Sequence, residues 1–310
     1  MKDKKCIGLT YGDPASIGPE ILLKTLKSWK KYKFKFKPLV IGEKDCLDGG
    51  SKTRKDFYRS GYPSKLTGEH SYKYLKEAIR LAKEKKIFAL VTGPVSKAAI
   101  NLAKIKFSGQ TEEIARSCKT SPQKVIMTFI ASDLRIALFT RHIALNKVSS
   151  KITRKKLKEH ILLLNKELKK WFSIKKPKIA VLGLNPHASE DGLFGDEEKK
   201  VISPVIKELS GIGLKIYGPL SSDATLARAG QDYLQNKKQK YDAYVSFYHD
   251  QALPMFKAVA GMNGVNVTLG LPFLRVSVDH GTAFDIAGKN KADHLGLVSA
   301  IKFISDIYKK

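Results

Sequence analysis

Short apolar runs alternate with longer amphipathic stretches along the chain. The runs are typical of buried strands, and they cover residues 5–10, 38–42, 87–92, 125–129, 135–140, 178–184, 243–248 and 265–269. Apolar residues at helical spacing predict helices over residues 71–86, 152–172, 197–209 and 292–309. Because the two kinds of segment alternate, we expect a mostly parallel sheet covered by helices.

Three local features refine this pattern. The segment Ala131-Ser-Asp133 lies between two strand-like runs and predicts a hairpin. Pro204 predicts a kink inside the third of the long helices. Residues 42–71 are polar and irregular, which predicts a surface excursion.

Histidines follow three of the predicted strands. His142 comes after the strand at 135–140, His187 after the strand at 178–184, and His249 directly after the strand at 243–248. The carboxyl ends of strands in open parallel sheets are where ligands collect. Three imidazoles that converge there would form a divalent-metal site with positions left open for a substrate. A single histidine is more often structural, and we interpret the other helix-associated histidines in this way: His70, His160 and His294.

Acidic residues accompany two of these histidines. Asp250 follows His249, and Glu190 and Asp191 lie just beyond His187. A carboxylate can hold the second ring nitrogen of a ligating histidine and fix its tautomer. The alternative is that these acids cap the helices that follow, which is common for aspartate.

Other segments are suited to an anion. The loop Ser108-Gly-Gln-Thr-Glu112 offers an amide and a hydroxyl before a helix, and Lys257 and Arg275 flank the strand at 265–269. The turn Gly12-Asp-Pro-Ala-Ser-Ile-Gly-Pro-Glu20 lacks the three-glycine spacing of a dinucleotide fingerprint. The chain has neither a Walker A sequence nor a Gly-x-Ser-x-Gly elbow.

Composition indicates a soluble globular protein. The 310 residues are 43% hydrophobic and 28% charged, with a formal net charge of +28. Lysines are spread along the whole chain, and no zinc finger, basic arm or RNA-binding aromatic signature accompanies them, so we expect no dedicated nucleic-acid partner. A basic surface does favour anionic small molecules. Three cysteines without metal spacing, no signal-peptide pattern and no apolar stretch long enough for a membrane predict a cytoplasmic protein with reduced thiols.

Motifs along nearly the whole chain resemble those of one family, the 4-hydroxythreonine-4-phosphate dehydrogenases of vitamin B6 biosynthesis. The matching stretches occur in family order: Gly12 to Glu20, Thr92-Gly-Pro-Val-Ser-Lys97, Gly109-Gln-Thr-Glu112, Leu184-Asn-Pro-His-Ala188, Gly218-Pro-Leu220 with Asp223, Tyr248-His-Asp-Gln251, Asn266-Val-Thr-Leu-Gly-Leu-Pro-Phe273 and Val278-Asp-His-Gly281. Each stretch alone is weakly specific, but their combination in this order is highly specific.

The resemblance implies an α/β fold with two α/β/α lobes and a central cleft, isocitrate/isopropylmalate dehydrogenase-like. Residues 1–120 together with 280–310 would form the first lobe. Residues 121–279 would form the second lobe, with the metal site and the interface of an obligate homodimer. The site would be shared between subunits, so that one histidine ligand would come from the partner chain.

The resemblance also implies the chemistry. The metal ligands fall on His142, His187 and His249, and the metal would be zinc, magnesium or cobalt. Substrate contacts fall on Gln110, Thr111, Lys257, Asn266 and Arg275. The enzyme would oxidise 4-phosphooxy-L-threonine with NAD or NADP, and the β-keto acid would lose carbon dioxide to give 3-amino-2-oxopropyl phosphate. Asp250 and Asp223 are candidates for the general base.

One departure from the family pattern concerns specificity. Gln110 stands where the family usually has histidine, and an amide can donate a hydrogen bond but cannot move protons. This difference makes a dehydrogenase of a phosphorylated sugar acid, phospho-erythronate or phospho-threonate, the main alternative. More remote alternatives are a non-catalytic or nucleic-acid-binding relative, and an acyl- or phosphoryl-transfer enzyme on the same fold.

Overall fold

The computed structural model describes residues 5–42 and 58–309. The chain divides into two compact units, one formed by Met1–Val125 with Val265–Lys309 and the other by Ile126–Gly264. The ranges expected from sequence place residues 265–279 with the second lobe. In the structure these residues form two strands that belong to the first unit, because one of them pairs in parallel with a strand at Ala89–Thr92.

Among the residues described above, five strands form the sheet of the first unit: β1 (Cys6–Thr10), β2 (Lys37–Ile41), β3 (Ala89–Thr92), β9 (Val265–Leu269) and β10 (Leu274–Ser277). Their order is β2-β1-β3-β10-β9, and all neighbours are parallel except β10 and β9. The helices of this unit are α1 (Gly18–Lys27), α2 (Lys65–Lys83), α3 (Lys97–Leu102), α4 (Gln110–Ser117) and α9 (Leu295–Lys309).

The second unit has the same mixed construction. Its strands are β4 (Ile126–Ala131), β5 (Leu134–Leu138), β6 (Lys178–Leu182), β7 (Lys215–Leu220) and β8 (Ala243–Ser246), in the order β4-β5-β8-β6-β7. Only the hairpin β4-β5 is antiparallel. The helices are α5 (Arg154–Phe172), α6 (Ser203–Gly211), α7 (Ser222–Leu234) and α8 (His249–Ala260).

The eight strands predicted from apolar runs are all present, and the hairpin around Ala131-Ser-Asp133 is confirmed. The predicted surface excursion is wrong at its end, because α2 begins at Lys65 rather than near Ser71. Ser64 and Thr67 exchange side-chain and backbone hydrogen bonds there in a capping box. Residues 43–57 of the predicted excursion lie outside the described residues.

Pro204 lies at the start of α6, where a proline needs no hydrogen-bonded N–H. The turn before it, Glu198–Ile202, is a π-helix. The irregularity expected at Pro204 is therefore a change of helix type just before the proline. Such π-turns are frequent at functional sites.

The core of the second unit fixes the start of α8. Phe256 of α8 packs edge-to-face on Phe129 of β4, with 5.8 Å between ring centres, and Leu253 is buried in the same apolar cluster. These contacts hold the helix whose first residue is His249. Among the described helices, none is both long and apolar enough to cross a membrane.

Candidate active site

Parallel pairing brings His142 and His249 together. Strands β5 and β8 are in register from Ile136 opposite Tyr244 to Leu138 opposite Ser246, and Thr140 N still donates to Phe247 O at 3.1 Å. Each histidine lies two residues beyond this last pair. Their ring centres are 5.6 Å apart. The strand-end position that predicted a shared site thus places two of the three histidines side by side.

The donor set of this pair fits a divalent metal. Nδ1 of His249 lies 2.6 Å from Oδ1 of Asp250, a contact that keeps the proton on Nδ1 and leaves Nε2 with its lone pair. With their ring centres 5.6 Å apart, the two rings are close enough that a nitrogen of each would be able to bind the same divalent ion.

His187 sits on an unusual turn after β6. The five residues from His187 to Asp191 all have positive φ, between 44° and 75°, although none of them is glycine. A left-handed conformation costs an L-residue about 1–2 kcal/mol. Strain of this kind clusters at functional sites. The turn leaves His187 exposed at the same end of the sheet as the other two histidines.

The third histidine has a different acidic neighbour. The pKa of Asp223, at the start of α7, is lowered chiefly by a hydrogen bond from the Ser221 hydroxyl and further by the proximity of His187. In the described part of the chain, no three His, Cys, Asp or Glu side chains converge tightly enough to hold a metal. The triad predicted from sequence therefore remains a prediction, with His142 and His249 adjacent and His187 beside Asp223.

Gln251 joins the elements that carry these residues. Its amide nitrogen donates to Gly183 O at 2.6 Å and to Ser222 Oγ at 2.8 Å, and its Oε1 accepts from Phe247 N at 2.7 Å. The side chain thus connects the ends of β8 and β6 with the start of α7. Sequence reasoning assigned no role to Gln251, although it lies in one of the motifs that indicated the family.

Arg275 is the central group of the first unit. Its side chain lies on β10, and the residue is only 3% exposed. Nη1 donates to Thr268 Oγ1 at 3.0 Å and Nη2 to Thr92 Oγ1 at 2.8 Å, so both hydrogen bonds go to neutral hydroxyls. Burial lowers the pKa of Arg275 to about 10, while nearby Glu112 acts in the opposite direction. The guanidinium thus stays cationic at neutral pH and is suited to a buried anion.

Gln110 approaches the end of the neighbouring strand β3. Its Nε2 donates to Gly93 O at 3.0 Å, which fixes the orientation of the amide because only the nitrogen end can donate to a carbonyl. Its Oε1 is buried and accepts no hydrogen bond from the described residues. The atom of Gln110 that is left for a substrate is therefore the acceptor Oε1. From the sequence we expected the amide nitrogen to donate to the substrate.

Two further predicted contacts, Thr111 and Asn266, lie in the first unit, and Lys257 lies in the second. Thr111 is buried on the first turn of α4, and Oδ1 of Asn266 on β9 is buried without a hydrogen-bond partner among the described residues. Thr92, which sequence reasoning left without a role, pairs with Ser277 across from Asn266. Lys257 is exposed on α8, eight residues or about 12 Å along the helix from His249.

Replacing Glu190 with glycine should stabilise the protein. Glu190 is exposed and has φ 44°, and glycine removes the left-handed penalty, so we expect a gain of about 1 kcal/mol in the free energy of unfolding. Urea unfolding followed by circular dichroism measures it. Glu190→Ala is the matched control and should gain nothing, because alanine retains the Cβ. Equal stability of the two variants would show that the turn is not strained at this residue.

Comparison with known proteins identifies close relatives. A family model described as "Pyridoxal phosphate biosynthetic protein PdxA" matches residues 6–304. The 4-hydroxythreonine-4-phosphate dehydrogenase of Sulfurihydrogenibium sp. (strain YO3AOP1) is 37% identical over 322 residues, covering 96% of each chain. A Clostridium botulinum (strain Hall) protein named "Putative D-threonate 4-phosphate dehydrogenase" is 32% identical over 332 residues, covering 97% of this chain and 96% of that one.

Solved structures give the same relationship. The crystal structure of 4-hydroxythreonine-4-phosphate dehydrogenase from Klebsiella pneumoniae superimposes with a TM-score of 0.86 at 29% identity, covering 99% of both chains. A beta-decarboxylating dehydrogenase from Thermococcus kodakarensis has a TM-score of 0.55 at 14% identity over 98% of this chain and 84% of that one, which indicates a shared fold only. The predicted α/β fold class is confirmed.

Proposed function

The chain belongs to the PdxA family of pyridoxal phosphate biosynthetic proteins, and on this basis we propose that it oxidises the C3 hydroxyl of 4-phosphooxy-L-threonine with NAD or NADP. Its relatives in sequence and structure are dehydrogenases, so the chain is an oxidoreductase. Loss of carbon dioxide from the resulting β-keto acid would give 3-amino-2-oxopropyl phosphate, a step toward pyridoxine 5'-phosphate.

Buried Arg275 is the observation that best supports a phosphorylated substrate. A cation removed from water is unfavourable unless an anion or strong acceptors compensate it. Its two hydrogen bonds go to threonine hydroxyls, and its Nε has no hydrogen-bond partner in the described residues. A phosphate ester would supply both charge and acceptor oxygens. Thr111 and Asn266 would complete the contacts in the first unit, and Lys257 on α8 remains a predicted substrate contact.

The histidines are suited to a divalent metal, which as a Lewis acid would lower the pKa of the substrate hydroxyl and polarise the ketone that forms. His142 and His249 would bind it together with His187, with one of these ligands supplied by the partner chain of a homodimer. Imidazole nitrogens favour zinc or cobalt over magnesium, which prefers oxygen ligands.

Asp250 and Asp223 would act mainly through these histidines. Asp250 contacts Nδ1 of His249, and a carboxylate in this position orients the ring and makes it a better ligand. The proximity of His187 contributes to the lowered pKa of the Asp223 carboxyl. A carboxylate with a lowered pKa is a weak proton acceptor, so Asp223 suits orienting the His187 ring better than acting as general base.

Apolar side chains beside the histidines support the homodimer. Ile143 and Leu145 follow His142, and Leu193 and Phe194 follow the strained turn of His187. All four are exposed, with Leu145 at 69% and Leu193 at 72%. Large apolar residues grouped on a surface are typical of protein–protein interfaces. Their position next to the proposed ligands agrees with a site that two subunits share.

A second candidate substrate is a phosphorylated sugar acid such as D-threonate 4-phosphate. One relative carries that name at 32% identity. The acceptor oxygen of Gln110 is uncharged and does not require a charged donor on the substrate. It could accept a hydrogen bond from the C2 hydroxyl of a threonate as readily as from the C2 ammonium of phosphothreonine. Gln110 therefore allows either substrate and does not by itself select between them.

Parallel assays distinguish the two candidates. The purified chain with Co²⁺ and NAD or NADP should reduce the nicotinamide when 4-phosphooxy-L-threonine is added, with kcat/KM at least about tenfold above that for D-threonate 4-phosphate or D-erythronate 4-phosphate. Removal of metal by chelation should abolish turnover, and Co²⁺ should restore it. A reversed preference would assign the sugar acid as substrate, and no reduction with any of the three would overturn the proposed reaction.

A further inference from the structure

The segment before His187 is held by a buried carboxylate. Glu198 is 3% exposed, and its Oε1 accepts hydrogen bonds from Leu184 N at 2.7 Å and Asn185 N at 2.8 Å. Its Oε2 accepts from Asn185 Nδ2 at 2.9 Å. Three donors thus converge on one carboxylate, and two of them are backbone amides two and three residues before His187. Contacts of this kind fix the path of the backbone rather than a flexible side chain.

The neighbouring acid extends the contact to the segment of His142. Glu197 Oε2 accepts from the same Asn185 amide at 2.9 Å, and its Oε1 accepts from Ser149 Oγ at 2.5 Å. Ser149 belongs to the loop that leaves His142. The Ser149 hydroxyl is the main reason that the pKa of Glu197 is lowered. Glu197 and Glu198 together therefore connect the chain around His187 with the chain that follows His142.

The strained turn explains why such an anchor is needed. Five non-glycine residues in the left-handed region would together cost several kcal/mol if each costs about 1–2 kcal/mol. A turn of this kind persists only where its surroundings hold both ends. Ser189 Oγ donates to Gly195 O at one end, and Glu198 receives the backbone amides at the other. Gly183 keeps the turn close to β6, since a Cβ there would lie 2.7 Å from Ala188 Cα.

We propose that Glu198 is a positioning residue that sets the place of His187 through the backbone of Leu184 and Asn185, and that Glu197 couples this place to the His142 loop. The inference rests on the proposed function only in giving His187 the role of a metal ligand. Glu198 itself touches no substrate or metal in this proposal. It would act only by fixing the position of the His187 imidazole.

Glu198→Gln is a sharp test because all three partners of Glu198 are donors. A glutamine has almost the same shape, but its amide nitrogen must face at least one N–H group, so one hydrogen bond is replaced by a repulsive contact. The matched control is Glu208→Gln. Glu208 lies on α6 in the same unit, is exposed and pairs with Lys158, so its substitution tests the loss of a charge without any contact to the turn.

Two measurements on the full chain separate positioning from metal binding. The NMR signal of the His187 ring, assigned by its absence in His187→Ala, should move in Glu198→Gln and stay in place in Glu208→Gln, all without metal. Titration with Co²⁺ should show binding that is about 10- to 100-fold weaker in Glu198→Gln than in the wild type. The His160 signal, from a partly buried ring on α5, should be unchanged in both variants.

Each outcome bears on one proposal. An unshifted His187 signal with unchanged Co²⁺ affinity in Glu198→Gln would overturn the positioning role. A wild-type chain that binds no Co²⁺, while the His187 signal still moves in the variant, would instead overturn the metal part of the proposed function and support positioning. If Glu198→Gln does not fold, Glu197→Gln takes its place, with shifts expected for both His187 and His142 and a smaller loss of affinity.

Discussion

Arg275→Met should lower kcat/KM for the phosphorylated substrate by about 10²- to 10³-fold, since loss of one partner from a buried, hydrogen-bonded charge pair costs about 2–5 kcal/mol. The same substitution should leave the free energy of unfolding unchanged or increase it in phosphate-free buffer. The reason is that, within the described part of the chain, the buried guanidinium hydrogen-bonds to the neutral hydroxyls of Thr92 and Thr268, with Glu112 nearby. Its burial is therefore only partly compensated, and an apolar side chain of similar length removes that cost.

Thermal unfolding with and without inorganic phosphate tests the stability half of this prediction. A ligand that binds only the folded state raises its stability, so phosphate should raise the Tm of the wild type but not that of Arg275→Met. Arg275→Lys is the control that keeps the charge and loses the bidentate geometry, and it should respond weakly to phosphate. If Arg275→Met is destabilised and still stabilised by phosphate, Arg275 is a structural residue and the anion binds elsewhere.

The location of the histidines could be predicted because strand ends are visible in the sequence. An apolar run that stops marks the edge of a sheet, and His142 and His249 lie just past two such stops. Their contact required one more fact, which is that β5 and β8 are neighbours in register. The order β4-β5-β8-β6-β7 does not follow chain order, so no local pattern could have supplied it.

Two other elements could not be predicted because their residues are atypical of the structures that they form. The capping box of α2 has Thr67 where glutamate or glutamine is the usual sign, and β7 contains Gly218 and Pro219, which argue against a strand. That strand is tolerated because it ends the order of the second unit's strands and needs only one partner. The start of α2 is thus set by a local cap with an unusual residue, whereas β7 forms through pairing with the distant strand β6.

The site itself was predicted less completely than the fold, since its geometry depends on side-chain hydrogen bonds. The sequence from His187 to Asp191 does not predict a left-handed turn, because it contains no glycine. From sequence alone, Glu198 is expected to be a surface residue because it lies in a charged segment. In the structure it is buried and accepts three hydrogen bonds. The role of Gln251 likewise depends on its hydrogen bonds to Gly183 and Ser222, which are distant in sequence.

His249→Ala should remove the metal and nearly all activity. The ring is held by Asp250 at 2.6 Å and faces His142, so in the proposed site its loss leaves two protein ligands where a catalytic zinc-type site has three. Metal content measured by mass spectrometry should fall from about one ion per chain to a small fraction of that. We expect kcat/KM to fall by at least about 10³-fold, which corresponds to the several kcal/mol that a Lewis acid contributes.

Asp250→Asn gives the graded test of the same geometry. The amide can still accept from Nδ1 but carries no charge, so metal affinity should fall by about 10- to 100-fold while the ion remains bindable at high concentration. His294→Asn is the control, because His294 lies in the first unit before α9 and contacts Asp293 and Tyr32 instead. Metal content and activity in His249→Ala that match those of His294→Asn would exclude His249 as a ligand. A loss confined to His249→Ala, with Asp250→Asn between it and the wild type, would show that the carboxylate works through the imidazole it orients.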